Sequence, residues 1–124
     1  MNASGHAVSA FCKYYRIPSA HVCVLCDDIS IPFGHWKMSV APGTARHNGV
    51  KSVLECIGAG FVRYRMGLGH KPKEMCLGDY VLATFPVEEQ QQLPRIAAEF
   101  ERNMEVFIDK GVLKGLNDLK RIKK

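Results

Sequence analysis

The sequence predicts an α/β fold: a single domain over residues 1–124, with a mixed sheet and helices on both of its faces. Three observations predict it. Two segments, His35–Val40 and Phe61–Gly69, alternate apolar and polar side chains with the period of a strand. Other segments repeat apolar residues at helical spacing. The two kinds are interspersed in the order helix, strand, strand, helix, strand, helix, helix, which is the pattern of layered α/β packing. A chain of 124 residues without repeats or linker fits one domain.

Each element follows from its residues. Ala3–Arg16 carries Ala7, Ala10, Phe11 and Tyr14 at helical spacing, and Pro18 ends it. His21–Cys26 is a near-continuous apolar run, as expected of a strand covered on both faces. Asp27 and Asp28 close it, and Ile29–Gly34 has turn chemistry. In His35–Val40, Trp36, Met38 and Val40 face one way and His35, Lys37 and Ser39 the other. A loop at 41–46 leads to a helix over Asn48–Ile57 with the stripe Val50, Val53, Leu54 and Ile57. Phe61–Gly69 sets Val62, Tyr64, Met66 and Leu68 against Arg63 and Arg65, a half-buried strand. Beyond the short segment Asp79–Leu82, Pro86 suits a first helical turn, with Glu88 and Glu89 favourable to the dipole. Leu93, Ile96, Ala97, Phe100, Met104 and Phe107 form its buried stripe. Pro94 predicts a kink or restart, Gly111 a stop, and Val112, Leu113, Leu116 and Leu119 a last helix with a basic back.

Composition narrows the function classes. The apolar fraction of 47% is that of a globular protein, not of a disordered tail. No apolar run reaches the ~18 residues of a membrane span, and residues 1–15 lack the pattern of a secretory signal. The net charge of +5 fits an anionic partner such as nucleic acid and, equally, a solvated surplus of lysines crowded near the C-terminus. Five cysteines without framework spacing imply a reducing compartment. A cytoplasmic protein is expected, or a mitochondrial or plastid one if the true N-terminus is missing. Cys23 and Cys26 form a C-x-x-C, but residues three apart in a strand point to opposite faces and do not share a metal. Two buried thiols and no metal are expected.

Asp27 follows an apolar strand, where open α/β sheets place ligands and where Asp also forms turns. Asn48 heads a helix, so capping and ligand orientation both suit it, and Asn2 is ambiguous in the same way. His47 is a lone loop histidine, more often not a base. Lys37, Arg63 and Arg65 share polar strand faces, compatible with a phosphate path and with plain solvation.

The joint arrangement resembles the bacterial-type peptidyl-tRNA hydrolases. Met1-Asn2-Ala3-Ser4-Gly5 is similar to their M-N-x-S-G, and Cys26–Pro32 to H-D-[DE]-L-D-L-P. His47–Ser52 is similar to H-N-G-L-K-S, Arg63–Gly69 to R-L-R-[IV]-G-I-G, and Asp79–Leu82 to D-Y-V-L. The resemblance implies hydrolysis of the ester joining a peptide to the 3′ ribose of tRNA, without metal or cofactor. A histidine base held by an aspartate would activate water, with asparagine amides as positioners. Carried over, Asp27 is the orienting aspartate; Asn2 and Asn48 are the amides; Met1 lines the cleft. Arg65, with Lys37 and Arg63, would meet tRNA phosphates.

Departures from the pattern accompany it. Cys26 stands for a histidine, Ser30 for an aspartate, and the loop before His47 reads Ala41-Pro42-Gly43-Thr44-Ala45-Arg46. The family's G-x-G-N-P-G and its T-R-H-N, which supplies the base, would lie before Met1. The expectations are therefore an N-terminally truncated domain, impaired or inactive alone, with a non-catalytic RNA-binding relative as the alternative and His47 as a remote substitute base. A monomer is expected in the family, but here an exposed sheet edge, poor solubility or dependence on a partner.

Overall fold

The structure, a computed structural model, describes residues 3–40 and 47–111. Met1, Asn2, the loop 41–46 and the basic helix expected after Gly111 lie outside the described residues. Helix α1 (Ser4–Tyr15) is followed by a 3-10 turn, strand β1 (Cys23–Asp28) and strand β2 (Trp36–Ser39). Helix α2 (Asn48–Ile57), strand β3 (Val62–Gly67) and helices α3 (Leu77–Leu82), α4 (Val87–Gln90) and α5 (Leu93–Lys110) complete the order. None of the helices among the described residues is long and apolar enough to cross a membrane.

The three strands pair in the order β1-β3-β2. The Val62 amide donates to the Val22 carbonyl and the Leu68 amide to that of Asp28, at 2.9 and 3.0 Å, so β1 and β3 run parallel. The Gly67 amide donates to the His35 carbonyl at 2.9 Å, at the start of β2, so β2 runs antiparallel to β3. The sheet is mixed, as the alternation of elements predicts.

The chain folds as two compact units, Met1–Asp27 with Lys37–Arg65 and Asp28–Trp36 with Met66–Lys124. The first holds a core of Cys26, Val50, Val53 and Phe61, against which Val8, Val22, Val24, Leu54 and Ile57 pack. These are the apolar stripe predicted for α2, the alternate residues Val22, Val24 and Cys26 in and just before β1, Phe61 just before β3, and Val8 of α1. Burying a valine side chain contributes roughly 1.5–3 kcal/mol, so Val50 and Val53 alone anchor α2 firmly. Helix α1 lies on α2 at a close approach made by Gly5, whose amide donates to Ser52 Oγ at 2.9 Å. It ends because Arg16 adopts the left-handed conformation (φ 55°) and Ile17 N–H returns to the Cys12 carbonyl, two residues before Pro18.

In the second unit Ile31 is fully buried. Tyr80 Oη donates to the carbonyls of Leu68 and Gly69 at 2.8 and 3.2 Å, fastening α3 to the end of β3. The Trp36 indole N–H donates to Glu99 on α5. The restart expected at Pro94 is found: α4 stops at Gln90 and α5 begins at Leu93 with the proline in its first turn. Its stripe runs through Leu93, Ile96, Phe100, Met104 and Phe107, with Ala97 left exposed and a buried Asn103 that no apolar pattern signals.

Three expectations are corrected. The apolar run does not form a strand covered on both faces: β1 is an edge strand in the described sheet, and Cys23 and Leu25 are exposed while Cys26 is buried. The expectation of two buried thiols therefore holds for Cys26 and fails for Cys23. Asp27 lies within β1, as its fifth residue, rather than after the strand. Finally, the polar side of β3 is not uniformly solvated: Arg63 is only 7% exposed, while Arg65 is half-buried.

Candidate active site

The candidate residues Asp27, His47 and Asn48 lie in the first unit, where the end of β1 meets the start of α2. Asp27 is the fifth of the six residues of β1, and its carboxylate is 43% exposed. His47 is the N-cap of α2, in extended conformation, and its ring is 18% exposed. Its Nε2 lies 3.0 Å from Asp27 Oδ1, and its Nδ1 accepts the Val50 amide at 3.2 Å. The His47 carbonyl in turn accepts the Lys51 amide at 3.0 Å. One residue therefore closes the helix with its main chain and one ring nitrogen and meets the aspartate with the other.

Asn48 is the first residue of α2 and is exposed. Capping, a role its place at the head of the helix suggests, belongs instead to His47, which leaves the Asn48 amide clear of that duty. Asn2 and Met1 lie outside the described residues, but the turn that follows them does not. Gly5 fixes the first turn of α1 against Ser52, one helical turn beyond Asn48. Neither the cap nor the contact with Asp27 is legible at His47 in the sequence. Histidine is not a favoured cap, and its partner Asp27 is twenty residues away; the signal available was its place just before the apolar stripe of α2.

The basic residues lie on β2 and β3. Pairing of Gly67 with His35 in antiparallel register sets Arg65 opposite Lys37 and Arg63 opposite Ser39, all on one face of the sheet. Lys37 is exposed and Arg65 half-buried. Arg63 Nε and Ser39 Oγ are buried without a hydrogen-bond partner among the described residues. Among the described residues no group of three or more His, Cys, Asp or Glu side chains is placed to hold a metal ion.

The model of the peptidyl-tRNA hydrolase family matches this chain over residues 1–124. The chain belongs to the peptidyl-tRNA hydrolase family. Proteins named peptidyl-tRNA hydrolase are similar to it: that of Gloeobacter violaceus is 37% identical over 118 residues, covering 94% of this chain and 60% of the relative. That of Chloroflexus aggregans is 34% identical over 119 residues, covering 94% and 63%. The crystal structure of peptidyl-tRNA hydrolase from Acinetobacter baumannii superposes with a TM-score of 0.83 at 26% identity, covering 94% of this chain and 60% of that one. The chain thus spans about 60% of the length of these relatives.

The five motifs that carry the peptidyl-tRNA hydrolase resemblance acquire physical reasons in the fold. Gly5 of the first motif and Ser52 of the third are the two sides of one contact. Gly67 of the fourth passes the main chain of the second so closely that a Cβ there would lie 2.1 Å from the Pro32 carbonyl oxygen. Ser30, where the family pattern has aspartate, donates its amide and hydroxyl to Asp28 Oδ1 at 2.8 and 2.6 Å and so holds the turn after β1.

Proposed function

We propose that this chain serves the hydrolysis of the ester between peptide and tRNA, with Asp27 as the orienting carboxylate. The observation that carries the reading is Asp27 itself, a partly exposed aspartate held by an imidazole beside the exposed amide of Asn48. A carboxylate has about four acceptor sites, so Asp27 can hold His47 and still orient a second donor, the imidazole that takes a proton from water. Asn48 and Asn2 position water and substrate, and Met1 lines the cleft. Lys37 and Arg65 meet tRNA phosphates, with Arg63 as the buried support of that basic row. tRNA is the partner and no metal is required, because a positioned base and polarising donors suffice for this ester.

His47 has both ring nitrogens engaged, so it offers water no free lone pair. The 124-residue chain alone is therefore expected to turn over ~10²–10⁴-fold more slowly than a protein in which a free imidazole faces Asp27. The test compares the chain with a chimera carrying the remaining portion of the Gloeobacter relative, using N-blocked aminoacyl-tRNA. The chimera should release the amino acid, and Asp27→Asn should cost it ~10²–10⁴ in rate with tRNA binding retained. A folded chimera that binds tRNA with steep salt dependence but never hydrolyses it would instead establish an RNA-binding module.

A further inference from the structure

We infer that His47 is a positioning residue: by capping α2 with one ring nitrogen it fixes the tautomer that holds Asp27 with the other. The inference rests on the role proposed for Asp27 and adds to it the element that sets the carboxylate's direction.

A neutral imidazole has one donor and one acceptor nitrogen, and what the surroundings bind decides which is which. At His47 the Val50 amide points at Nδ1 from 3.2 Å, so that nitrogen holds the lone pair. The proton then sits on Nε2, 3.0 Å from Asp27 Oδ1, and is donated to it. A ring protonated on Nδ1 would set two N–H groups against each other and forfeit the cap. The helix that supplies the Val50 amide is well anchored, since Val50 and Val53 are each 1% exposed. A buried helix thus dictates one proton position, and that proton dictates where one oxygen of Asp27 sits.

His47 accordingly does not take the proton from water. It restrains Oδ1 and leaves the remaining acceptor sites of Asp27, which is 43% exposed, for the group that does the chemistry. A purely structural cap would need Nδ1 alone, and serine, asparagine or aspartate would serve it as well or better. What histidine adds is a second, oppositely polarised nitrogen at the far side of a rigid ring.

The first measurement is a two-bond proton–nitrogen correlation spectrum of the ¹⁵N-labelled 124-residue chain. A neutral ring protonated on Nε2, with Nδ1 unprotonated, is expected for His47. A ring protonated on Nδ1, or one averaging between tautomers, would overturn the inference. This readout needs no turnover, so it stands whether or not the chimera hydrolyses tRNA esters.

The second measurement is made in that chimera. His47→Ser keeps a capping oxygen and loses the donor to Asp27. Its Tm should stay near that of the parent while kcat falls ~10²-fold at unchanged KM, the penalty of a misplaced catalytic group. His47→Gln, which retains an N–H able to reach toward Asp27, should recover part of that loss. Full kcat in a stably folded His47→Ser variant would reduce His47 to a cap and sink the assignment. Should the serine variant unfold, His47→Asn provides the same comparison with a stronger cap.

Discussion

Cys23, Leu25 and Asp27 project from the same face of β1, and each behaves as an edge strand dictates. Cys23 is open in part to solvent, yet its apolar surroundings strip enough water to push the thiol up to about 11, with Cys26 adding to the effect. The folded state therefore favours the protonated thiol more than the unfolded chain does. Stability from this group is intact below the ordinary value of 9.0 and is lost as pH climbs from there toward 11. Alkylation of Cys23, followed by mass spectrometry, should accelerate tenfold per pH unit without levelling at pH 9. A rate that plateaus there would show that the thiol is not desolvated. Asp27 was legible as a candidate because an abrupt acidic pair ends an apolar run. Its partner was not, since a contact between residues 27 and 47 is made by the fold and leaves no local pattern. Arg63 differs for another reason. The alternation in Phe61–Gly69 is real, but alternation does not tell how far each polar residue is covered: Arg63 is buried while Arg65 on the same face is half-buried.

Between elements, the contact of α1 with α2 decides the first unit, and Gly5 decides that contact. A Cβ at Gly5 would stand 2.0 Å from the Ser52 carbonyl oxygen, a backbone atom that cannot rotate away. Gly5→Ala must push the helices apart, loosening Val8 from Val50 and Val53 and breaking the hydrogen bond to Ser52. Overpacking costs ~1–3 kcal/mol or more, and at this distance the upper end applies. A drop in Tm on the order of 10 °C by thermal circular dichroism is the expected outcome; an unchanged Tm would mean that the close approach does not form. Ser52→Ala, which removes only one hydrogen bond, should cost about 1 kcal/mol. The helices themselves were readable because periodicity and Pro94 act locally, and α2, α5 and the restart at Leu93 follow from them. The reason for the motif glycines was not readable: a glycine admits close approach by anything, and only the fold names Ser52 and Pro32 as what approaches.

At the scale of the whole chain, the mixed sheet and its helices agree with the prediction, because the interspersion of periods constrains layering even where strand order is unknown. Exposure does not follow from pattern in the same way. Phe11, Tyr14 and Tyr15 are 58%, 80% and 60% exposed, and their rings touch one another on the outer side of α1. Leu25 stands 43% exposed on β1, which borders the described sheet. An apolar edge strand and an aromatic helix face each template association. The net charge of +5 opposes it only over the ~8–10 Å that salt leaves unscreened. The isolated chain should therefore self-associate at micromolar concentration, and more so as salt rises. Leu25→Lys places a charge on the strand edge, and Tyr14→Lys places one on the helix face. Neither removes a buried side chain, so Tm should change by little, while light scattering coupled to size exclusion should move toward the mass of a monomer. A wild-type chain that elutes as a monomer at all salt concentrations and unfolds in one cooperative transition would contradict the argument. It would mean that apolar surface of this extent is tolerated by the charge around it.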